Sequence, residues 1–304
     1  MDILSLLRKL KSHIGLPDLI YNDTRRLLFN QKKYFLEQAV LHSAESGING
    51  EKYCSHDIVV SLTTYGRRVH DVYLTIESLM EQTLKANRIL LFLDNGFRST
   101  PLPITLKKLE ERGLEIHFCK DIRSYTKLIP ALMMCPDDAI VTVDDDMLYE
   151  IDMLEKLVNA YLEDPGYVYC NRQHRMVLNK NDELQPYNRW WWNCPETDAN
   201  ILNFPTGVGG VLYPPRSFDE EVFNENVYMD ICRFADDVWF KAMTMKKGML
   251  SRKVVTRDPR GEEFLVNDAV QDMGLFHLNI RGKNLNDPQI KAVFDKYDLY
   301  ALLK

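Results

Sequence analysis

The sequence predicts an α/β fold with a mostly parallel, doubly wound sheet. Short segments rich in Val, Ile and Leu alternate with segments in which apolar residues recur at helical spacing. Four strands alternate with three helices over residues 57–146, and polar residues follow each strand. An alternation of this kind predicts helices on both faces of a parallel sheet, with ligands bound beyond the carboxyl ends of the strands.

The length and composition are those of a globular protein. The 304 residues allow one or two domains, and a net charge of −6 gives no reason to expect a nucleic-acid partner. The six cysteines are widely spaced without a C-x-x-C pair, which favours reduced thiols in a cytoplasmic protein over a zinc site or a disulfide scaffold. We expect no membrane-spanning helix, because no apolar stretch approaches roughly 18 residues. We expect no signal peptide either, because the apolar run at residues 3–7 is too short.

Residues 1–50 differ from the rest and form a separate N-terminal segment, with the main domain over residues 51–304. Apolar residues recur at helical spacing over residues 3–14, and basic residues lie among them and continue through residue 33. A basic amphipathic helix predicts either contact with an anionic membrane surface or packing on the main domain or a second subunit. The first alternative places the protein peripherally at the inner face of the cell membrane.

The first half of the main domain, residues 51–150, supplies most of the sheet. The polar turn Thr63-Thr64-Tyr65-Gly66-Arg67-Arg68 follows the first strand, and Asp94 follows the second. Gly113 is a typical helix terminator. The strands are predicted at residues 57–62, 88–93, 114–119 and 140–143, and the helices at about residues 72–80, 103–112 and 127–134.

The fourth strand leads into the acidic triplet Asp144-Asp145-Asp146. If the extended conformation continues, Asp144 and Asp146 point to one side of the strand and Asp145 to the other. Two carboxylates at such a place favour Mg²⁺ or Mn²⁺, which binds oxygen ligands and shares its coordination shell with substrate phosphates. The alternative is an acidic turn that caps the following helix.

The second half, residues 151–304, is less regular. It begins with a helix predicted after Asp152 and a strand at residues 167–170. Three consecutive tryptophans lie in a polar stretch at residues 189–193, and we expect at least one to be exposed for stacking on a sugar face. The alternative is that they fill a core.

A glycine-rich loop at residues 204–215 runs into a further strand. A dinucleotide-binding G-x-G-x-x-G motif that starts at Gly207 would need glycine where Leu212 stands, so this interpretation fails. The glycines predict either close approach of the backbone to a ligand or a bulge. As residues that bind an acceptor we select Trp191, Trp192, Gly209 and Gly210.

Asp236 and Asp237 open a helix predicted over residues 234–243. A helix N-terminus favours carboxylates and keeps them ionised. An ionised carboxylate near a sugar hydroxyl is a competent general base. The alternative is a helix-capping pair without chemistry.

Two further residues are candidates for the same site. His277 follows a short apolar strand at residues 273–276, and imidazole suits Mn²⁺ beside carboxylates, although a lone histidine is usually structural. Lys127 precedes the triplet strand and either offsets phosphate charge or is exposed to solvent. A last helix is predicted at about residues 288–296.

Together these motifs resemble the GT-A glycosyltransferases of the family 2 type, particularly the bacterial enzymes that build surface polysaccharides. The resemblance covers about residues 55–280. Four segments carry it in the right order: residues 59–67, the triplet as a D-x-D motif, residues 207–215, and Ala235-Asp236-Asp237-Val238-Trp239-Phe240 in place of the usual E-D pair. It implies the GT-A nucleotide-diphospho-sugar transferase fold, with a nucleotide-binding half at residues 51–150 and an acceptor-binding half at residues 151–304.

The resemblance also implies roles for individual residues. Asp146 would bind Mn²⁺ or Mg²⁺ at the donor diphosphate, Asp144 would lie near the ribose or the metal, and His277 would complete the metal shell. Asp237 would be the base of an inverting transfer, although Asp236 stands where glutamate is usual and leaves the choice between them open. The residues expected near the nucleotide sugar are Thr63, Thr64, Tyr65, Arg67, Asp94, Lys127, Asp144 and Asp145.

The implied function is metal-dependent hexosyl transfer from a nucleotide sugar, with a UDP-sugar favoured, to a glycan or lipid-linked acceptor. The alternatives are an aspartate-nucleophile phosphohydrolase of the HAD type, a nucleotidyltransferase, and a carbohydrate-binding module that uses the tryptophans. The phosphohydrolase would carry its D-x-D on the first strand, whereas three strands precede Asp144 here. The nucleotidyltransferase would carry a glycine-rich, basic loop after its first strand, which Gly66-Arg67-Arg68 matches poorly.

Overall fold

The computed structural model describes residues 16–268 and 285–303, and it begins with a long helix, α1 (Leu16–His42). The buried side chains of Leu36 and Val40 pack this helix on the main domain. Lys32 Nζ donates to the backbone carbonyl of Tyr149 at 2.6 Å, which ties the helix to the region beside the acidic triplet. The part of the N-terminal segment in α1 therefore packs on the main domain, whereas the amphipathic repeat predicted at residues 3–14 lies outside the described residues. Within the described residues, no helix is both long and apolar enough to cross a membrane.

The first half of the main domain forms the parallel part of the central sheet. Strand β1 pairs in parallel with β2 on one side and with β4 on the other, and β3 lies beyond β2. The strands are β1 (Ile58–Thr63), β2 (Arg88–Asp94), β3 (Leu114–Cys119) and β4 (Ala139–Thr142). The helices between them are α2 (Val72–Met80), α3 (Ile104–Glu110) and α4 (Ile129–Met134).

The second half completes a sheet of seven strands. It adds β6 (Tyr167–Cys170), β9 (Val211–Tyr213) and β10 (Leu250–Lys253). The strand order is β10-β6-β9-β4-β1-β2-β3, in which β9 is antiparallel to both neighbours and the other neighbouring pairs are parallel. The mostly parallel sheet predicted from the sequence is confirmed.

The sheet is covered on both faces because its apolar side chains alternate. In β1, Val59 belongs to one core, while Ile58, Val60 and Leu62 belong to the other. The first core includes side chains of α4, α7 (Asp236–Lys246) and α8 (Asn286–Tyr297), and the second includes side chains of α2, α3 and α5 (Met153–Glu163). This arrangement is the doubly wound architecture that the sequence predicted.

The acidic triplet departs from the extended conformation. Strand β4 ends at Thr142, and the chain turns before β5 (Met147–Tyr149), which pairs with β11 (Phe264–Val266) in a separate two-stranded sheet. The expectation that the strand continues through the triplet is wrong. The alternative of a helix-capping turn is wrong too, since a strand follows the triplet.

The remaining elements lie in the second half. A short antiparallel pair joins β7 (Gln173–Arg175) to β8 (Asn203–Pro205). The turn Gly207–Gly209 precedes β9, and α6 (Glu225–Ile231) precedes α7. The predicted strand at residues 273–276 and His277 lie outside the described residues.

Candidate active site

A cavity of about 720 Å³ lies at the carboxyl ends of the sheet strands. Both halves of the main domain line it, because parallel strands bring their carboxyl ends to one edge. The residues discussed below that line it are Thr63, Thr64, Tyr65, Arg68, Asp94, Lys127, Asp144, Asp145, Asp146, Arg172, His174, Trp192, Thr206, Asp236, Asp237 and Glu262.

Arg68 holds two aspartates of the triplet. Its Nη1 donates to Oδ1 of Asp145 at 2.6 Å and lies 3.0 Å from Oδ2 of Asp146. Thr64 Oγ1 donates to the other carboxylate oxygen of Asp145 at 2.6 Å. Burial raises the pKa of the Asp145 carboxyl, while Arg68 and Thr64 oppose that shift. Because Asp145 and Asp146 meet the same guanidinium, the expectation that they point to opposite sides is wrong.

Lys127 connects the triplet to the start of α7. Its Nζ lies 2.9 Å from Oδ1 of Asp144 and 2.9 Å from Oδ2 of Asp236. Burial alone would lower the pKa of the lysine, but the surrounding carboxylates outweigh it and the pKa is raised well above its usual value. Lys127 is buried, so the alternative of a solvent-exposed lysine is wrong. The structure shows it as the counter-charge of the acidic groups.

Asp237 lies in the first turn of α7 and faces the cavity. Oδ2 of Asp237 accepts the backbone N–H of Gly207 at 3.2 Å. Burial and then the neighbouring carboxylate of Asp236 raise the pKa of Asp237 to about 7, whereas Lys127 and the Gly207 amide act in the opposite direction. We expected the helix N-terminus to keep Asp237 ionised, but burial and the adjacent charge outweigh that effect in the free protein.

The glycine turn approaches these groups closely. A methyl group added at Gly207 would lie 2.8 Å from Lys127 Nζ and 3.1 Å from Oδ1 of Asp237. The backbone at Gly207 therefore lies against the charged side chains of the site, and its approach to a ligand stays a prediction. Gly210 has a φ of +85°, which side-chain-bearing residues rarely adopt.

A further part of the cavity wall is formed by the segment around β7. His174 stacks on Trp192, with ring centroids 5.0 Å apart and an interplanar angle of 18°. Nδ1 of His174 accepts the backbone N–H of Asn193 at 3.0 Å. Burial and the nearby Arg172 lower the pKa of His174 to about 3, so the imidazole is neutral and its second nitrogen carries the proton.

The structure does not bring all of the selected residues to the cavity. Arg67 is exposed and lies outside the lining, and its neighbour Arg68 faces inward instead. Trp191 is 47% exposed and also lies outside the lining, whereas Trp192 is part of it. Gly209 and Gly210 shape the turn before β9 without lining the cavity.

Sequence reasoning missed several lining residues, among them Arg68, Arg172 and His174. Arg68 follows Arg67 in a basic pair, and only the turn Gly66–His70 decides which of the two points inward. Arg172 and His174 follow β6 in a segment without a recognisable motif. The one available signal was their position after a predicted strand, where open sheets bind ligands.

The triplet offers oxygen donors suited to a divalent cation. Asp144 and Asp146 are carboxylates at one edge of the cavity, which fits the hard ligands that Mg²⁺ and Mn²⁺ prefer. No group of three or more metal-ligating side chains is assembled within residues 16–268 and 285–303. Such a number is not required, since Mg²⁺ is commonly held by one or two carboxylates together with substrate phosphates and water.

An acidic triplet and a carboxylate pair thus face one cavity at the edge of a mostly parallel sheet. The family model described as "Glycosyl transferase family 2" matches residues 59–225. The chain belongs to this family. No curated protein matches the sequence at a significant level.

Solved structures give distant matches. A mannosyltransferase from Pyrobaculum calidifontis, PcManGT, in complex with GDP-Man and Mn²⁺ has a TM-score of 0.42 and 14% identity over 96% of this chain and 85% of that chain. S. aureus TarS residues 1–349 in complex with UDP has a TM-score of 0.40 and 15% identity over 66% of this chain and 58% of that chain. A CMP:2-keto-3-deoxy-manno-octonic acid synthetase complexed with CTP has a TM-score of 0.38 and 13% identity over 66% of this chain and 89% of that chain.

Proposed function

We propose that the protein transfers a sugar from a nucleotide-sugar donor to a hydroxyl group of a glycan or lipid-linked acceptor, with inversion of the anomeric configuration. Family membership supports glycosyl transfer. The observation that carries the inverting assignment is Asp237, a cavity-facing carboxylate held by the Gly207 amide and separated from the acidic triplet by Lys127.

The donor is proposed to lie along the carboxyl ends of β1, β2 and β4. Thr63, Tyr65 and Asp94 line that part of the cavity and supply hydroxyl and carboxylate groups for a nucleoside. A UDP-sugar is the favoured donor. Asp146 and Asp144 would hold Mn²⁺ or Mg²⁺ at the diphosphate, with His277 as a proposed further ligand. When bound, the cation supplies positive charge that stabilises the departing diphosphate.

Asp237 is proposed to take the proton from the acceptor hydroxyl. A general base works best when its pKa is near the operating pH, and the pKa of about 7 for Asp237 meets that condition. A single displacement needs one base on the face opposite the leaving group, and it inverts the anomeric carbon. Asp236 is bound to Lys127, which supports a positioning role for Asp236.

The acceptor is proposed to lie between Asp237 and the wall formed by His174 and Trp192. The aromatic face of Trp192 suits the apolar C–H surface of a sugar ring. A role in bacterial surface polysaccharide synthesis, in the capsule or lipopolysaccharide, is part of the proposal.

Peripheral contact with a membrane is proposed for the outer face of α1. Ile20, Leu27, Tyr34 and Leu41 recur every seven residues and are between 45% and 68% exposed, with exposed Phe35 beside them. An exposed apolar stripe on an amphipathic helix binds the boundary between lipid headgroups and acyl chains. Sedimentation with anionic liposomes tests this proposal. L27E with F35E should abolish binding and leave the fold unchanged, and equal binding by the variant would contradict it.

The enzymatic proposal is tested with a panel of UDP- and GDP-sugars, mixed oligosaccharide and lipid-linked acceptors, and Mn²⁺ or EDTA. The expected result is release of a nucleoside diphosphate that requires both an acceptor and the cation. The anomeric proton signal in the NMR spectrum of the product should show a configuration opposite to that of the donor. A phosphate monoester provides the control substrate and should stay intact. Hydrolysis of the monoester without sugar transfer would replace the proposal by the phosphohydrolase alternative.

A further inference from the structure

Arg172 lines the cavity without an ion pair among the described residues, and the carboxylates of Glu262 and Asp237 counter its charge only from a distance. It follows β6, and its Nη1 donates to Thr206 Oγ1 at 2.8 Å. Its Nε is buried and has no hydrogen-bond partner. Among the described residues, no carboxylate oxygen lies within 4.0 Å of its guanidinium.

The neighbouring carboxylate of Glu262 has other partners. Glu262 lines the same cavity, but its Oε1 accepts from Asn193 Nδ2 at 2.8 Å and its Oε2 lies 3.9 Å from an amino group of Arg260. A guanidinium keeps its proton in proteins. Burying such a charge without a partner is costly, so the fold retains at Arg172 a charge that a ligand could neutralise.

The groups around Arg172 complete an oxyanion site. His174 is neutral and its Nδ1 accepts the backbone N–H of Asn193, so its Nε2 is an N–H donor. Trp192 stacks on this imidazole and offers a flat apolar surface beside the charge. A charged donor, a neutral donor and an aromatic face together suit a sugar ring that carries a carboxylate or a phosphate.

The position of Arg172 relates this oxyanion to the acceptor. Arg172 binds the hydroxyl of Thr206, and the next residue, Gly207, donates its N–H to Asp237. The oxyanion site is thus adjacent to the proposed base. The carboxylates of the triplet repel an anion from the other wall, which leaves the side of Arg172 for the charged group.

We propose that Arg172, together with His174 and Trp192, forms a subsite for a carboxylate or phosphate group on the acceptor sugar. This inference rests on the proposed function, because it assigns the acceptor class of the same site. An acidic acceptor is bound by its anion at Arg172, and its hydroxyl group then lies near Asp237.

Direct binding tests this inference separately from turnover. Calorimetric titration compares methyl β-glucuronide with methyl β-glucoside, in protein saturated with UDP and Mn²⁺ and in protein without them. The glucuronide is expected to bind wild type about tenfold or more tighter than the glucoside, the range of a charge-assisted hydrogen bond. R172M should abolish this preference, and R172K should restore part of it. If no transferase activity is found, the preference can still be measured, so failure of the proposed function is distinguishable.

A matched control variant and a stability measurement distinguish anion binding by Arg172 from a purely structural role of this residue. Arg175 lies on β7, pairs with Asp198 and lies outside the cavity lining, so R175M should keep the preference for the glucuronide. R172M should unfold at the same or a higher urea concentration than wild type, because it removes a partly buried charge that has no ion pair among the described residues.

Three results would overturn the proposal. Equal binding of both glycosides to wild type is the first. The second is an R172M protein that loses stability and keeps the preference. The third is a preference for UDP-glucuronic acid over UDP-glucose that R172M removes, with no preference between the two methyl glycosides. This result would assign the anion to the donor sugar.

Discussion

The ammonium nitrogen of Lys127 lies 2.9 Å from Oδ1 of Asp144, and this ion pair joins the acidic triplet to the rest of the site. The same nitrogen lies 2.9 Å from Oδ2 of Asp236 at the start of α7. One buried lysine therefore counters carboxylates that come from two distant parts of the chain. Without it, the pair Asp236–Asp237 and the triplet would face each other with no positive charge between them.

Lys127→Met should destabilise the protein, because it leaves buried carboxylates unpaired. Removal of one partner from a buried ion pair typically costs about 3–5 kcal/mol. The loss should be larger at pH 8 than at pH 5, since protonation relieves the repulsion between the remaining acids. Urea unfolding at both pH values measures it. Lys120→Met is the control, because Lys120 pairs with Glu225 at the surface. An equal loss of stability at both pH values would contradict the counter-charge role.

Asp146→Ala should remove cation-dependent nucleotide binding and keep the fold. Arg68 retains its ion pair with Asp145 when Asp146 is truncated, so no buried charge is left alone. A thermal-shift measurement with UDP should show no additional stabilisation on addition of Mn²⁺, whereas wild type is stabilised by mass action. A full Mn²⁺-dependent shift in the variant would show that Asp146 is not a ligand.

Comparison of Asp145→Ala with Asp146→Ala tests whether Asp145 has a structural role while Asp146 is a metal ligand. Asp145 accepts from both Thr64 and Arg68. Its removal takes the acceptor from two buried donors, although Arg68 still pairs with Asp146. The free energy of unfolding should therefore fall more than it does for Asp146→Ala. Urea unfolding of the two variants gives the comparison, and equal stabilities would contradict this division of roles.

Much of the fold was predictable because it depends on local patterns. The strands β1 to β4 follow from short runs of β-branched and aliphatic residues. The helix α3 ends at Glu110, shortly before Gly113, whose φ of +110° is typical of a residue that terminates a helix. The motifs also predicted correctly which edge of the sheet carries the cavity, because polar residues follow the parallel strands at that edge.

The partners of the site residues were not predictable from local patterns. Whether Arg67 or Arg68 points inward depends on one tight turn, and the extended conformation expected through the triplet is broken by the pairing of β5 with β11, more than 100 residues away. The pKa of Asp237 likewise depends on burial by distant segments, while sequence reasoning considered only its own helix. Such contacts between remote segments set charge states, and a single sequence does not reveal them.

Lys241→Met should stabilise the protein at neutral pH. Lys241 is buried in α7, where its Nζ contacts Ser251 Oγ at 3.2 Å, and burial lowers its pKa to about 7. Its pKa in the unfolded chain is about 10.4, so the unfolded state binds more protons between these values and wild-type stability rises with pH from 7 to 10. The stabilisation by Lys241→Met should therefore shrink over this range.

Urea unfolding of wild type and Lys241→Met at pH 7 and pH 10 measures this difference. Lys246→Met is the matched control in the same helix, because Lys246 is partly exposed and pairs with Asp219. The difference in the free energy of unfolding between wild type and Lys246→Met should be the same at pH 7 and pH 10. A difference between wild type and Lys241→Met that is constant with pH would mean that Lys241 titrates normally.

Asp237→Asn should increase stability at pH 8 while it removes activity. The folded pKa of about 7 lies above the unfolded value of about 3.9. The stability that this carboxyl contributes is therefore present below pH 4 and is lost as the pH rises through 7. The asparagine has no such loss, so the variant without metal should be more stable than wild type at pH 8 and similar to it at pH 4.

The same variant tests the identity of the base. Asp237→Asn keeps the size of the side chain and an oxygen acceptor for Gly207 but removes its basicity, so turnover should fall by about 10² or more with donor affinity little changed. Asp236→Asn should reduce turnover less and destabilise the protein, because it weakens the contact with Lys127. Steady-state kinetics with calorimetric donor binding measures both variants. The reverse order of turnover would identify Asp236 as the base, and a product that retains the donor's anomeric configuration would overturn the inverting mechanism altogether.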